Sequence, residues 1–166
     1  MPDPTSFSSS GDNVLTVACV PTGINAGVSR IYCELTLDTD KAYEMCKNKQ
    51  NIILNIYAPS IRDFIKLMNK CDVLVSNEGG TVHIAKALSK PTFTIFSPYV
   101  NKAHWASFED GKFHHSIYLL DVKPDLFNNF TYEERKRIEQ NPHELYKQLT
   151  PEIILPQLYT FLKNNL

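Results

Sequence analysis

The sequence lacks a long apolar run, and it lacks an excess of charge of either sign. No apolar segment approaches the roughly 18 residues from which a membrane-spanning helix is built, so we expect no such helix. The 17 basic and 18 acidic side chains leave a net charge of −1. Proteins that coat nucleic acid are usually strongly basic, so this balance disfavours nucleic acid as a partner.

The sequence also has few cysteines, and they form no metal-binding pattern. The four are Cys19, Cys33, Cys46 and Cys71, without a CxxC pair or a His-rich ligand pair. A chain of 166 residues can bury a core without disulfides or zinc. We therefore interpret the cysteines as small thiols in a reducing compartment, and we expect no metal and no cofactor.

Residues 1–12 lack both the basic segment and the apolar segment of a secretory signal. They are rich in proline and serine, which is typical of a flexible leader. The remaining length suits one domain. We therefore predict a leader over 1–12 and a single domain over 13–166.

Short apolar segments alternate with amphipathic ones along the chain. This alternation predicts an α/β fold, namely a Rossmann-like parallel sheet with helices on both faces. Strands are predicted at 13–20, 31–37, 51–57, 72–77, 91–97 and 116–121, and helices from Asp38 or Asp40 to Lys47, at 61–70, 81–89 and 131–140, and from 151 onward. We expect the strands near 51–57, 73–77 and 91–97 to be central and mutually parallel.

Two helices carry apolar stripes at spacings of three and four residues, which predicts that these faces are buried. In the helix at 61–70, for which Ser60 is the candidate N-cap, the stripe is Ile61, Phe64, Ile65 and Met68. In the last helix it is Ile154, Leu158, Phe161 and Leu162. We expect the second stripe to be covered by protein, with part of it left bare where a further domain would pack.

The most informative segment is 71–98, in which a predicted buried strand runs into Glu78-Gly79-Gly80 and then into a helix. Adjacent glycines permit a sharp turn and the close approach of a ligand. The start of the following helix offers free amide hydrogens and the positive end of the helix dipole, which suit a phosphate or diphosphate. The alternative is that Gly79 and Gly80 only make a tight turn, because a bare Gly-Gly is neither a dinucleotide fingerprint nor a P-loop.

The neighbours of the two glycines favour a binding site. Thr81 offers a hydroxyl in the first helical turn, and His83 adds a donor one step further along. Glu78 would repel phosphate, so we expect it to contact a sugar or ribose hydroxyl, or an amide, with a capping role as the alternative. A valine in place of Gly80 is expected to obstruct the phosphate and to strain a positive φ angle.

The tandem histidines His114 and His115 are expected to point to opposite faces of an extended segment, which makes joint metal binding improbable.

Residues 60–98 resemble the donor-binding half of the GT-B glycosyltransferases, most of all the lipopolysaccharide heptosyltransferase family (glycosyltransferase family nine). Members carry a motif of the form N-D-[ST]-G-P-M-H-L-A-A-A-L-G-K-P followed by a strand ending in F-G-P. The corresponding residues are Asn77, Glu78, Gly79, Gly80, Thr81, His83, Ala85, Ala87, Leu88, Lys90, Pro91, Phe96, Ser97 and Pro98. The family's Asp, its Ser or Thr, and its Pro are replaced here by Glu78, Gly79 and Thr81.

The resemblance implies glycosyl transfer from a nucleotide-diphosphate sugar, such as an ADP-heptose-like donor, to a lipopolysaccharide-type acceptor, without a metal. It implies one half of a GT-B fold, with donor contacts at Glu78, Gly79, Gly80, Thr81 and His83 and with Lys102 neutralising the diphosphate. A separate N-terminal domain would bind the acceptor and supply the base, so no catalytic residue is assigned here. The implied location is cytoplasmic, at the inner membrane face. The alternative is a non-catalytic nucleotide-binding or protein-interaction module.

Overall fold

The computed structural model describes residues 14–19, 31–36, 52–53, 58–98, 100–140, 145 and 147–166. The strands are Val14–Cys19 (β1), Ile31–Thr36 (β2), Ile52–Ile53 (β3), Val73–Asn77 (β4), Thr92–Phe96 (β5) and His114–Tyr118 (β6). The helices are Ile61–Asn69 (α1), Gly80–Ala87 (α2), Lys102–Trp105 (α3), Leu119–Val122 (α4), Tyr132–Glu139 (α5) and Pro151–Asn165 (α6). The predicted leader and the helix predicted from Asp38 or Asp40 lie outside the described residues, so the domain boundaries remain predictions.

The strands form one sheet in the order β3-β1-β2-β4-β5-β6. β2, β4, β5 and β6 are parallel to one another, with Val75 opposite Phe93 and Phe93 opposite His115. β1 is antiparallel to both of its neighbours, β2 and β3. The predicted α/β fold with a Rossmann-like parallel sheet is therefore confirmed, and the antiparallel direction of β1 is a feature that the sequence did not predict.

The position of β3 also corrects a prediction. The strand expected over 51–57 has two described residues and lies at the edge of the sheet, next to β1 rather than among the central strands. Its direction is nevertheless that of β4 and β5, because it is related to them by two antiparallel pairings. Short connections can join antiparallel neighbours, whereas a parallel pair needs a crossover of about a dozen residues or more, so β1 and β2 pair directly.

Both faces of the sheet are covered by helices, as predicted. Because successive side chains of a strand alternate between faces, Val73 and Val75 of β4 pack in a core with Phe161 of α6. Leu74, between them, packs on the other face with Met68 of α1. That second core also contains Cys71, Val82 and Ala85.

Helix α1 packs two of the four residues of the predicted stripe, Phe64 and Met68, against the core. Its N-cap is Ser60, whose hydroxyl accepts a hydrogen bond from the Asp63 amide, as expected. Met68 is fully buried, and Phe64 packs against the same core. Ile61 and Ile65 are exposed by 62% and 38%, so they are not part of the packed face. Leu67 packs against this core as well, so the packed face of α1 contains Phe64, Leu67 and Met68.

The apolar stripe of α6 is covered, and this prediction is confirmed. Phe161 is buried, and Ile154, Leu158 and Leu162 pack against the core around it. Ile154, Leu158 and Leu162 are only half-buried, and Leu155 and Tyr159, outside the stripe, are exposed. Within the described part of the chain, no helix has the length and apolar content needed to cross a membrane.

The last strand begins and ends earlier than predicted. The carboxylate oxygen Oδ1 of Asp110 accepts hydrogen bonds from the backbone amides of Lys112, Phe113 and His114, at 2.9, 2.8 and 2.9 Å. These bonds form the turn that starts β6 at His114, and they hold the pKa of Asp110 below its usual range. The predicted strand end at 119–121 is instead the start of α4.

Candidate functional site

The candidate site lies at the edge of the sheet formed by the carboxyl ends of its parallel strands. Parallel strands end at a common edge, so the residues that follow β4, β5 and β6 are close in space. Glu78 follows β4, Ser97 follows β5, and Leu119 follows β6. In an open α/β sheet, this carboxyl edge is where ligands bind.

The turn from β4 into α2 depends on Gly79. Gly79 is the N-cap of α2 and has φ +154° and ψ −173°, a conformation that is essentially restricted to glycine. No side chain within the described ranges caps α2 at this end. The carbonyl of Gly79 accepts the first helical hydrogen bond, from the Val82 amide at 3.2 Å. The sequence correctly placed the glycine turn before a helix start.

The second glycine differs from what we predicted. Gly80 is the first residue of α2, and its φ angle is not in the positive range, so a valine there would not be strained in the expected way. Among the residues that the structure describes, no atom lies within 4 Å of a Cβ atom built on Gly79 or Gly80. The amide end of α2 therefore faces open space that an anion can enter, and any side chain at Gly80 would project into it.

Glu78 joins the two neighbouring strand ends. Its carboxylate oxygen Oε2 accepts a hydrogen bond from the Ser97 amide at 2.8 Å. Burial raises the pKa of Glu78, against the opposing effect of the backbone hydrogen bonds from Ser97 and from Glu78 itself. A carboxylate has about four lone-pair sites, so these bonds leave capacity for a ligand hydroxyl.

Thr81 and His83 lie in the first turns of α2 next to this opening. Thr81 is half-buried and His83 is exposed. The imidazole ring of His83 lies 6.0 Å, centroid to centroid, from the indole ring of Trp105 in α3. The turn from β4 into α2 and the first residues of this helix therefore carry five of the predicted site residues, namely Glu78, Gly79, Gly80, Thr81 and His83.

Lys102 lies at the same edge but has a partner that the sequence did not reveal. It begins α3, whose N-cap is Asn101, and its ammonium group forms an ion pair with Asp121 of α4. This pair links the segment after β5 to the segment after β6. An arriving diphosphate would therefore compete with Asp121 for Lys102.

Sequence reasoning missed Lys86, which holds the segment after β5 against α2. Its ammonium group is buried, and it donates to the Ser107 carbonyl at 2.7 Å and to Glu109 Oε1 at 2.6 Å. The side chains of Lys86 and Glu109 are 4% and 14% exposed. The only sequence signal for a buried lysine was the apolar residues on either side of Lys86, and a solvent-exposed lysine of a helix has such neighbours just as often.

The tandem histidines point to opposite faces, as predicted. His114 Nδ1 lies 3.0 Å from Thr92 Oγ1, whereas the ring of His115 stacks on Phe93 with centroids 5.3 Å apart. Burial and the nearby charge of Lys86 lower the pKa of His114. No group of three or more His, Cys, Asp or Glu residues that would suit a metal occurs within the described ranges.

The comparisons with known proteins connect this edge to a family. Residues 38–112 match the model of glycosyltransferase family 9 (heptosyltransferase). The matched segment contains β4, α2, β5 and α3, and with them every candidate site residue. It confirms the resemblance predicted from the motif. No curated protein and no solved structure matches the chain.

Proposed function

We propose that this chain, which carries a family 9 glycosyltransferase segment over residues 38–112, is the donor-binding half of a glycosyltransferase. The observation that carries the proposal is the amide end of α2, which no side chain of the described residues caps and around which those residues leave open space at Gly79 and Gly80. Amide hydrogens at a helix start need an acceptor, and the helix dipole favours a negative one. A diphosphate meets both requirements.

The residues around the opening have distinct roles in this proposal. The amides from Gly79 to Thr81 hold the diphosphate of a nucleotide sugar, and His83 lies beside it. The carboxylate of Glu78 accepts a hydrogen bond from a sugar or ribose hydroxyl. Lys102 leaves Asp121 to neutralise the diphosphate, whose negative charge grows as it departs.

The reaction is proposed as a displacement at the anomeric carbon of the donor sugar. An acceptor hydroxyl forms a bond to this carbon with inversion, and the bond from the carbon to the diphosphate oxygen breaks. The nucleoside diphosphate leaves with the electron pair, and the proton of the hydroxyl passes to a base on an acceptor-binding domain. The heptosyltransferase description of the family supports a heptose donor. The donor that we propose is ADP-heptose-like, the acceptor is of the lipopolysaccharide type, and the proposed position is cytoplasmic at the inner membrane face.

Calorimetric titration with ADP, UDP and GDP, each with and without an attached sugar, tests the proposal. We expect one of them to bind, and we expect Gly80→Val to weaken binding at least tenfold, which is about 1.4 kcal/mol, because the side chain fills the phosphate position. His83→Ala should weaken binding less, since water can partly replace one hydrogen bond.

Lys136→Ala, on the exposed face of α5, is the control and should not change binding. Unchanged affinity in a folded Gly80→Val protein would contradict the proposal. So would a phosphate bound elsewhere while this turn stays empty.

A further inference from the structure

The candidate site has an exposed aromatic pair at its side. Trp105 is 47% exposed, although a large indole usually packs inward, and its ring lies 6.0 Å from the ring of the exposed His83. Trp105 is the only tryptophan in the sequence. Exposed aromatic surface next to a ligand opening is typical of a contact with that ligand.

The segment that carries Trp105 is held in place rather than loosely attached. Lys86 anchors its far end through Ser107 and Glu109. The Asn101 side chain caps α3 at its near end. The Ala106 amide closes the turn by donating to the Lys102 carbonyl at 2.8 Å. A platform that is already ordered binds a ring with little further loss of entropy.

The ring contact with His83 places the indole beside the first turns of α2. His83 is three residues beyond Gly80, a rise of about 4.5 Å along the helix axis. Side chains of a helix tilt toward its N-terminus, so the His83 ring leans back toward the first turn. A ribose and base attached to a diphosphate at Gly79–Thr81 can therefore extend alongside α2 to Trp105.

We propose that Trp105, held against His83, is the platform on which the nucleobase of the bound nucleoside diphosphate stacks. This inference rests on the proposed function, because it requires a nucleotide at the start of α2. A flat base matches the indole in shape and in π character. The carboxylate of Glu78, which accepts a hydrogen bond from the Ser97 amide at the end of β5, suits the hydroxyls of the sugar instead.

The single tryptophan makes the test direct, because its fluorescence reports on Trp105 alone. The full chain is titrated with ADP, UDP, GDP and inorganic pyrophosphate, and affinities are measured in parallel by calorimetry. We expect at least one nucleotide to quench the fluorescence, and pyrophosphate to bind without quenching it.

In Trp105→Ala, nucleotide affinity should fall roughly 5- to 150-fold, the range for loss of one stacked base. Pyrophosphate affinity should stay within about twofold, and Trp105→Phe should restore most of the nucleotide affinity. Phe108→Ala is the matched control, since Phe108 is an aromatic residue of the same segment and is 81% exposed. It should leave both affinities unchanged.

The outcomes separate the inference from the proposed function. If nucleotides bind but neither quench the fluorescence nor respond to Trp105→Ala, the platform is wrong while the donor site stands. Equal losses of nucleotide and pyrophosphate affinity in Trp105→Ala would also overturn the platform, since the indole would then act on the phosphates. If neither ligand binds, the proposed function and the platform both fail.

Discussion

The two adjacent glycines at the start of α2 should respond in opposite ways to the same substitution. Gly79 has φ +154°, which an L-residue adopts only with strain, so Gly79→Ala should lower the free energy of unfolding by about 1–3 kcal/mol. The φ angle of Gly80 is not in that range, and no atom in the described part of the chain lies within 4 Å of a Cβ built there. Gly80→Ala should therefore raise the free energy of unfolding by about 0.4–1 kcal/mol, because alanine restricts the unfolded chain.

Ligand binding should separate the two variants further. The Cβ of Gly80→Ala projects into the opening at the start of α2, so nucleoside diphosphate affinity should fall about tenfold although the fold is stabilised. Urea unfolding followed by circular dichroism measures stability, and calorimetry with a nucleoside diphosphate measures binding. A stabilised Gly80→Ala protein that binds as tightly as the original would refute the reasoning.

Gly111→Ala is the matched control for Gly79→Ala. Gly111 has φ +72° and an equally open surrounding, so its replacement should cost about 1–2 kcal/mol of stability. Gly111 precedes β6 at the other end of that strand from the candidate site. Its replacement should leave nucleotide affinity unchanged, whereas Gly79→Ala should weaken it.

Three further predictions concern the polar groups around α2 and the sheet beneath it. Lys86→Met should lower the free energy of unfolding by about 3 kcal/mol in urea titrations, because it leaves the carboxylate of Glu109 without its buried partner. Lys66→Met, on the exposed face of α1, is the control and should have no effect. Thr94→Val should raise the free energy of unfolding by about 1–3 kcal/mol, since the Thr94 hydroxyl is buried and has no hydrogen-bond partner among the described residues; a loss of stability would contradict this reasoning. The pKa of His114 is lowered, so the stability that its neutral form contributes is complete above the unfolded value of 6.5 and is lost as the pH falls through the folded value. Below pH 6.5, the slope of the free energy of unfolding against pH should therefore be smaller in His114→Gln.

The sequence predicted the local elements of the fold far better than the order of the strands. α1, β4, α2 and β5 lie within one or two residues of their predicted bounds, because caps, glycines and short apolar runs are local signals. The antiparallel direction of β1 and the edge position of β3 were missed. Strand order depends on which distant segments pair, and hydrophobic pattern alone does not specify this.

The same distinction applies to the candidate site. The glycine turn before a helix is a local pattern, and it was predicted with Thr81 and His83 beside it. The contacts that shape the surroundings join residues far apart in sequence, namely Glu78 with Ser97, Lys86 with Glu109, and Lys102 with Asp121. No local signal marks such pairs, so the partner of Lys102 and the anchoring role of Lys86 became visible only in the structure.

The central claim is that the backbone amides at the start of α2 hold a diphosphate. A ¹H–¹⁵N correlation spectrum of the labelled chain, recorded during titration with a nucleoside diphosphate, tests it most directly. The account predicts that the largest shifts occur at the amides of Gly79, Gly80 and Thr81, and that the same amides shift with pyrophosphate. Saturable binding that leaves these three amides unmoved while others shift would contradict it.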